Sequence, residues 1–211
     1  MYLVKCLSKD IETAVVESTC KAIGNLAFYD CGKLKSVNLP DGLESIGSSA
    51  FGYCGFVSIK LPASLTNISA EAFAYCQSLK SISIPDGVTE IKSGAFKGCY
   101  RLGNVSFGEN LTKIWQFAFA ESGVKWVTVP DGVTTIGMNA FSGCGELTSV
   151  SIPASVTGIG SQAFSYCSDL TAIRFNGTKA QWEKVTKGGM WDFYVSAKSI
   201  SCTDGTVSLS N

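Results

Sequence analysis

Histidine is absent from the 211 residues. That absence removes the commonest general base, the Ser/His and Cys/His nucleophile pairs and every zinc site built on imidazole. Charge is scarce: 16% of residues are charged, and 17 Lys and Arg balance 17 Asp and Glu to a net charge of zero. No general basic field exists to hold a nucleic acid or an anionic membrane, so neither is expected as a partner. No apolar run reaches the roughly 18 residues of a membrane span, so no direct insertion into a bilayer is expected. The opening stretch "MYLVKCLSKDIETAVV" shows no charged leader followed by an apolar core and a cleavage site, which fits a module excised from a longer protein. Proline is limited to five, all in one column of a repeat. Apolar surface is plentiful: a hydrophobic content of 45% suffices for a sizeable core without disulfide staples.

The apolar residues recur with a fixed period. Aligned on isoleucine, the chain restarts at Ile23, Ile46, Ile68, Ile91, Ile114, Ile136 and Ile159, in steps of 22 or 23 residues by subtraction. The unit "ISAEAFAYCQSLKSISIPDGVTE" shows the frame: Ile, Ala-Phe, Cys, Leu, two alternating apolar residues and Pro. Two units, containing "AFGYCGFVSI" and "AFAESGVKWV", lack one residue between the Cys and Leu columns, where a turn of a solenoid tolerates the loss.

Each column has its own physical reading. The alternation in "LKSVNLP" and "LTSVSIP" predicts a short strand with one buried face, stacked in parallel with its neighbours. Pro40, Pro62, Pro85, Pro130 and Pro153 end that strand, since proline cannot donate to the ladder. A second extended piece follows in "VTEI" or "LESI", and "xxAFxxC" predicts one helical or 3₁₀ turn. Phe28, Phe51, Phe73, Phe96, Phe119, Phe141 and Phe164 form a file that holds the stack together, each worth about 1.5 to 3 kcal/mol when buried. Cys31, Cys54, Cys76, Cys99, Cys144 and Cys167 form another, at the roughly 4.8 Å spacing of adjacent strands. Parallel side-chain vectors disfavour disulfides, and a linear file does not converge on a metal, so buried thiols are expected. Ser122 fits this reading, because a ladder tolerates one changed rung. Cys20 belongs to the core as well, whereas Cys6 and Cys202 lie outside the repeat frame. No metal and no cofactor is expected.

The pattern Ile-Gly-x-x-Ala-Phe-x-x-Cys-x-x-Leu-x-x-Ile-x-Ile-Pro, nearly intact in "IGMNAFSGCGELTSVSIP", resembles the BspA-like branch of the leucine-rich repeat family, found in bacterial surface proteins. The resemblance covers about residues 14–175, and the tail "FNGTKAQWEKVTKGGMWDFYVSAKSISCTDG" is similar to that family's terminal segment. It implies a right-handed solenoid used for binding, often in adhesion, at the cell surface or outside the cell. The expected organisation is a single solenoid domain over 1–211. Residues 1–22 form a partial repeat, 23–175 the seven repeats and 176–211 a C-terminal cap of helix plus hairpin. Thr178 and Gln181 have capping-box spacing, with Trp182 and Val185 on one face of the helix; Trp182 and Trp191 are read as cap contacts.

The outward strand positions are small and polar: Ser36, Asn38, Ser81, Ser83, Asn104 and Ser106 among them. They offer hydrogen bonds but no paired carboxylates, so the face reads as a recognition surface and not a hydrolytic cleft. Trp126 interrupts this file. Aromatic anchors are enriched at binding hot spots, so Trp126, with Lys125, Asn104, Thr128 and Ser149 around it, marks the expected centre of a recognition patch. Trp115 and Phe117, in the same unit, face another side and suggest a second contact or self-association surface. The opposing reading is that these aromatics fill space left by the shortened turn. Sequons at Asn67, Asn104, Asn110 and Asn176 would accept glycans in a eukaryotic secretory route, but a chain rich in Asn, Ser and Thr also makes such matches by chance, so they carry little weight. Three functions follow in order: a noncatalytic adhesion or interaction module binding a protein, including one on a host or neighbouring cell; a structural spacer; and, last, an enzyme. The columns assign no oligomeric state.

Overall fold

In a computed structural model, residues 3–4 and 8–209 are described; Cys6 lies outside them. The chain winds into a parallel β-solenoid of about eight turns with little helix. The 22- or 23-residue period sets its register, because one period carries each residue to the same place in the next coil. Thus Ile46 lies beside Ile68, Ile114 beside Ile136, and Val127 beside Val150.

The alternating column forms the first ladder of strands: Thr13–Val15, Ser36–Asn38, Ser81–Ser83, Asn104–Ser106, Trp126–Thr128, Ser149–Ile152, Ala172–Phe175 and Ser199–Cys202. Inward Val and Ile side chains are buried, or half-buried at Val37 and Val105, while Ser, Asn and Thr face out, as the alternation requires. The isoleucine column forms a second ladder of two-residue strands, among them Ser45–Ile46, Lys113–Ile114 and Gly158–Ile159.

The segment expected to be a helical or 3₁₀ turn is instead a run of consecutive β-turns. Two residues per turn have positive φ, such as Leu26 and Asp30, Phe117 and Glu121, and Gln162 and Tyr166. This twist aims alternate N–H groups at the next coil. Phe51 N–H bonds the Ala72 carbonyl at 2.8 Å, and Tyr53 N–H bonds that of Ala74 at 2.9 Å. The pattern repeats along the stack, so the turns make a third hydrogen-bonded ladder. These bonds offset the left-handed backbone, which costs a non-glycine residue about 1 to 2 kcal/mol.

The phenylalanine file runs through the core with neighbouring rings 5.1 to 5.5 Å apart and within 10° of parallel. Its carbonyls explain the cysteine file. The thiols of Cys54, Cys76, Cys99, Cys144 and Cys167 donate to the carbonyls of Phe28, Phe51, Phe73, Phe119 and Phe141 in the preceding coil, at 3.0 to 3.1 Å. Cysteine is therefore a small buried side chain that also carries a weak donor. Burial pushes the Cys76 thiol well above its ordinary range and that of Cys99 up to about 12.

Residues 176–209 hold a helix, a hairpin and one further coil. The helix Lys179–Lys184 carries the expected capping box: Gln181 N–H bonds Thr178 Oγ1 at 3.2 Å, and Thr178 N–H bonds Gln181 Oε1 at 2.8 Å. Trp182 packs on Phe175 and Trp191, with ring centroids at 5.2 and 5.7 Å, and Trp191 meets the end of the phenylalanine file at Phe164. Thr186–Lys187 pairs with Gly158–Ile159, Phe164 N–H bonds the Trp191 carbonyl, and Ile200 lies beside Ile173, which continues all three ladders. The antiparallel strand Gly205–Ser208 then covers the edge of Ser199–Cys202.

Candidate functional site

The two one-residue deletions shape the outer face of the first ladder. In both short turns a glycine replaces two residues, and the preceding coil comes too close for a side chain. A Cβ on Gly55 would lie 2.0 Å from the Gly32 carbonyl oxygen, and one on Gly123 would lie 2.2 Å from that of Tyr100. Phe56 and Val124 then occupy the leucine column, fully buried. On the N-terminal side of each short coil the ladder is interrupted: Ser36–Asn38 is not paired with the coil after it, nor is Asn104–Ser106 with Trp126–Thr128. At the second interruption Lys125 N–H still reaches the Gly103 carbonyl at 3.2 Å, after which the strands do not pair.

Trp126 stands on the edge of this seam. The buried Val127 beside it fixes the alternation and turns the indole outward, where it is 51% exposed. Since Val124 fills the shortened turn, the indole is not a filler. Trp126 lines three adjoining depressions. One, of about 630 Å³, crosses the sheet over Thr128, Ser149, Ser151, Arg174 and Ser201. A second, of about 600 Å³, includes Lys80, Arg101, Asn104, Lys125 and Glu146. A third, of about 390 Å³, runs over Ser81, Ser83, Asn104 and Ser106. The structure thus gathers Trp126, Lys125, Asn104, Thr128 and Ser149 around one place: Ser149 is the register partner of Trp126, and Asn104 lies across the seam.

Trp115 and Phe117 lie elsewhere and are half-buried. Trp115 follows the second ladder, where its Nε1 donates to Glu90 Oε2 at 3.0 Å and the Lys113 ammonium sits 3.7 Å from its ring centre. A hydrogen bond from Lys92 holds the Glu90 carboxylate below its usual range against partial burial, and the indole N–H adds to this. Phe117 is a positive-φ residue of the turn ladder, with the Lys97 ammonium 5.7 Å from its ring centre. Both rings have intramolecular partners, whereas the Trp126 indole has no hydrogen bond or ring contact among the described residues.

Sequence reasoning missed the basic rim. Lys80, Arg101 and Lys125 converge beside Trp126 with Gly103 between them. The signal was present in the column before the strands, where Lys80 and Lys125 flank Gly103 in consecutive coils. Lys125 pairs with Glu146 at 3.6 Å; Lys80 and Arg101 make no ion pair among the described residues. The three depressions hold hydroxyls, amides, an indole and cations, a set suited to recognition. Among the described residues no group of three or more Cys, Asp and Glu is placed to hold a metal, and no helix is long and apolar enough to cross a membrane.

A stack of short parallel coils, with strands on one side and linked turns on another, defines a repeat solenoid whose long open face is its natural contact surface. The model of the BspA type leucine rich repeat region, in six copies, matches residues 5–125 and 89–185, so the chain belongs to that family. Among solved structures, the T. pallidum leucine-rich repeat protein is 26% identical, with a TM-score of 0.56 over 89% of this chain and 72% of that one. A leucine-rich repeat protein from Bacteroides ovatus is 27% identical, with a TM-score of 0.54 over 91% of this chain. A leucine rich cell surface protein from Faecalibacterium prausnitzii is 24% identical, with a TM-score of 0.41 over 84%. The chain spans 63% of the length of each of these last two proteins. No curated protein matches it. Leucine-rich repeat proteins generally mediate protein interactions.

Proposed function

We propose that this chain is a noncatalytic interaction module of a secreted or cell-surface protein, and that it binds a protein partner on the face around Trp126. An adhesive contact with a protein on a host or neighbouring cell is the form of that function that the family favours. The observation that carries the reading is the exposed Trp126 at the junction of three depressions, with its indole N–H uncommitted. A large aromatic ring flanked by polar groups is the composition of a binding hot spot. The same face lines up no acid and base that would serve catalysis: Glu146, its carboxylate at the rim, is paired with Lys125. The test is selection of displayed protein fragments on the wild-type chain with a Trp126→Ala chain as counter-target. Binders that discriminate between the two support the reading. Pools that bind both chains alike place the contact elsewhere.

A further inference from the structure

The coils on either side of Trp126 stand one strand spacing apart: Lys125 N–H bonds the Gly103 carbonyl at 3.2 Å, and the Phe96 and Phe119 rings are 5.2 Å apart. A ligand therefore lies over the face and meets side chains, not main-chain edges. Three chemistries are laid out there in a row. At one end is the basic notch over Gly103, where Lys80, Arg101 and Lys125 stand against one carboxylate, Glu146, which Lys125 already pairs. Lys80 and Arg101 are exposed and make no ion pair among the described residues. A Cβ added at Gly103 would meet nothing nearer than 3.8 Å, so the notch has room for a small anionic group. In the middle stands the half-exposed indole of Trp126. At the other end the depression that crosses the sheet is walled by hydroxyls, those of Thr128, Ser149 and Ser201 among them, and its one charged side chain is Arg174. Val127, Val150 and Ile173 beneath it are buried, so it offers no apolar pocket.

We propose that this face binds a short glycan that ends in a carboxylated sugar and is carried by the partner protein. The carboxylate enters the notch between Lys80 and Arg101, whose guanidinium fork suits it. The apolar face of a sugar ring lies against the indole, and neutral sugars follow over the hydroxyls of Thr128, Ser149 and Ser201, which can both donate to and accept from their own hydroxyls. The distribution of charge selects this ligand. A polysulfated glycan or a run of acidic residues carries charge on every unit, whereas the cations here crowd at one end and the rest of the face is hydroxyl-rich. The inference rests on the reading that this face contacts a partner protein, and it adds that protein's sugar as a ligand.

The probe is sialyllactose, one carboxylated sugar on a neutral disaccharide, titrated by ligand-detected NMR beside lactose, a heparin-derived sulfated oligosaccharide and a short peptide alternating Glu and Thr. Sialyllactose should bind about tenfold or more tightly than each of the other three, and should weaken as salt is raised. The double change Lys80→Ala and Arg101→Ala should bring it down to the level of lactose, a loss of about tenfold. Gly103→Val, which fills the notch, should weaken sialyllactose and leave lactose unaffected. Trp126→Ala should weaken both sugars. All of these variants should keep the wild-type melting temperature, since the changed side chains are exposed or meet open space. Equal binding of sialyllactose and lactose, no binding of sialyllactose, tighter binding of the sulfated oligosaccharide or the peptide, or a double variant of undiminished affinity would overturn the inference. If displayed protein binders require Trp126 while sialyllactose fails, the sugar chemistry is wrong and the interaction face stands. If both fail, the face itself is wrong.

Discussion

Truncating Phe96 to alanine in the middle of the stack tests the physical basis of the fold. Its ring has no exposed surface and lies between Phe73, at 5.5 Å and 2° from parallel, and Phe119, at 5.2 Å and 10°. Removal of a buried phenylalanine side chain costs about 3 to 5 kcal/mol, set by how far the surroundings collapse into the void. Collapse is restrained here, because the turn ladder ties this coil to both neighbours, with Phe73 N–H on the Ala95 carbonyl and Phe96 N–H on that of Ala118. The two lost ring contacts are each worth about 0.5 to 1.5 kcal/mol beyond area burial, so the cost should fall in the upper half of the range. Ser83→Ala provides the comparison. Ser83 faces outward from the first ladder, and its change should stay within about 0.5 kcal/mol. Urea unfolding followed by circular dichroism reads both effects as midpoint shifts. The slope matters too: coils contact only their neighbours, so a weakened middle coil should lower the apparent slope as the two ends unfold separately. Equal midpoint shifts for the two changes would refute the register and the phenylalanine core.

Thiol reagent should react slowly with the buried cysteines of the folded chain and with all nine after denaturation; mass spectrometry finding column cysteines joined in disulfides would contradict this. Stability should be flat near neutral pH and fall in alkali. The folded Cys99 thiol ionises near 12 and the exposed one near 9.0, so its contribution is complete below about 9 and is lost as pH rises toward 12, measurable as a falling urea midpoint. Gly123→Ala should destabilise by about 1 to 3 kcal/mol, because its Cβ would collide with the Tyr100 carbonyl, whereas Gly103→Ala should be silent in the same melting experiment.

The fold was legible where side chains repeat. The Ile, Phe and Cys columns gave the period, and the Ser and Asn positions gave the outward face. The third ladder was hidden because its positive-φ residues include Leu26, Glu71, Phe117 and Gln162, which carry no turn signal; only some coils show Gly94, Gly98, Gly143 or Asn139 there. The last coil was hidden for two reasons. Lys187 stands in the isoleucine column, and the inserted helix stretches the step from Ile159 to Lys187 to 28 residues by subtraction. Asp192 likewise stands where the preceding coil has Phe164, and burial raises its carboxyl above the usual range. At the site, alternation alone placed Trp126 outside and Ser149 beside it. The seam was not legible, because an unpaired strand edge depends on how closely two backbones approach after a deletion. Trp115 shows the converse: its sequence context suggested exposure, and its partners Glu90 and Lys113 sit one coil back and two residues back.

The central claim is that Trp126 serves binding and not folding. The direct measurement is the melting temperature of Trp126→Ala, taken together with its affinity for a binder selected on the wild-type chain. The account predicts an unchanged melting temperature and a loss of about 2 kcal/mol, roughly 30-fold in Kd. A lowered melting temperature with unchanged affinity would contradict it.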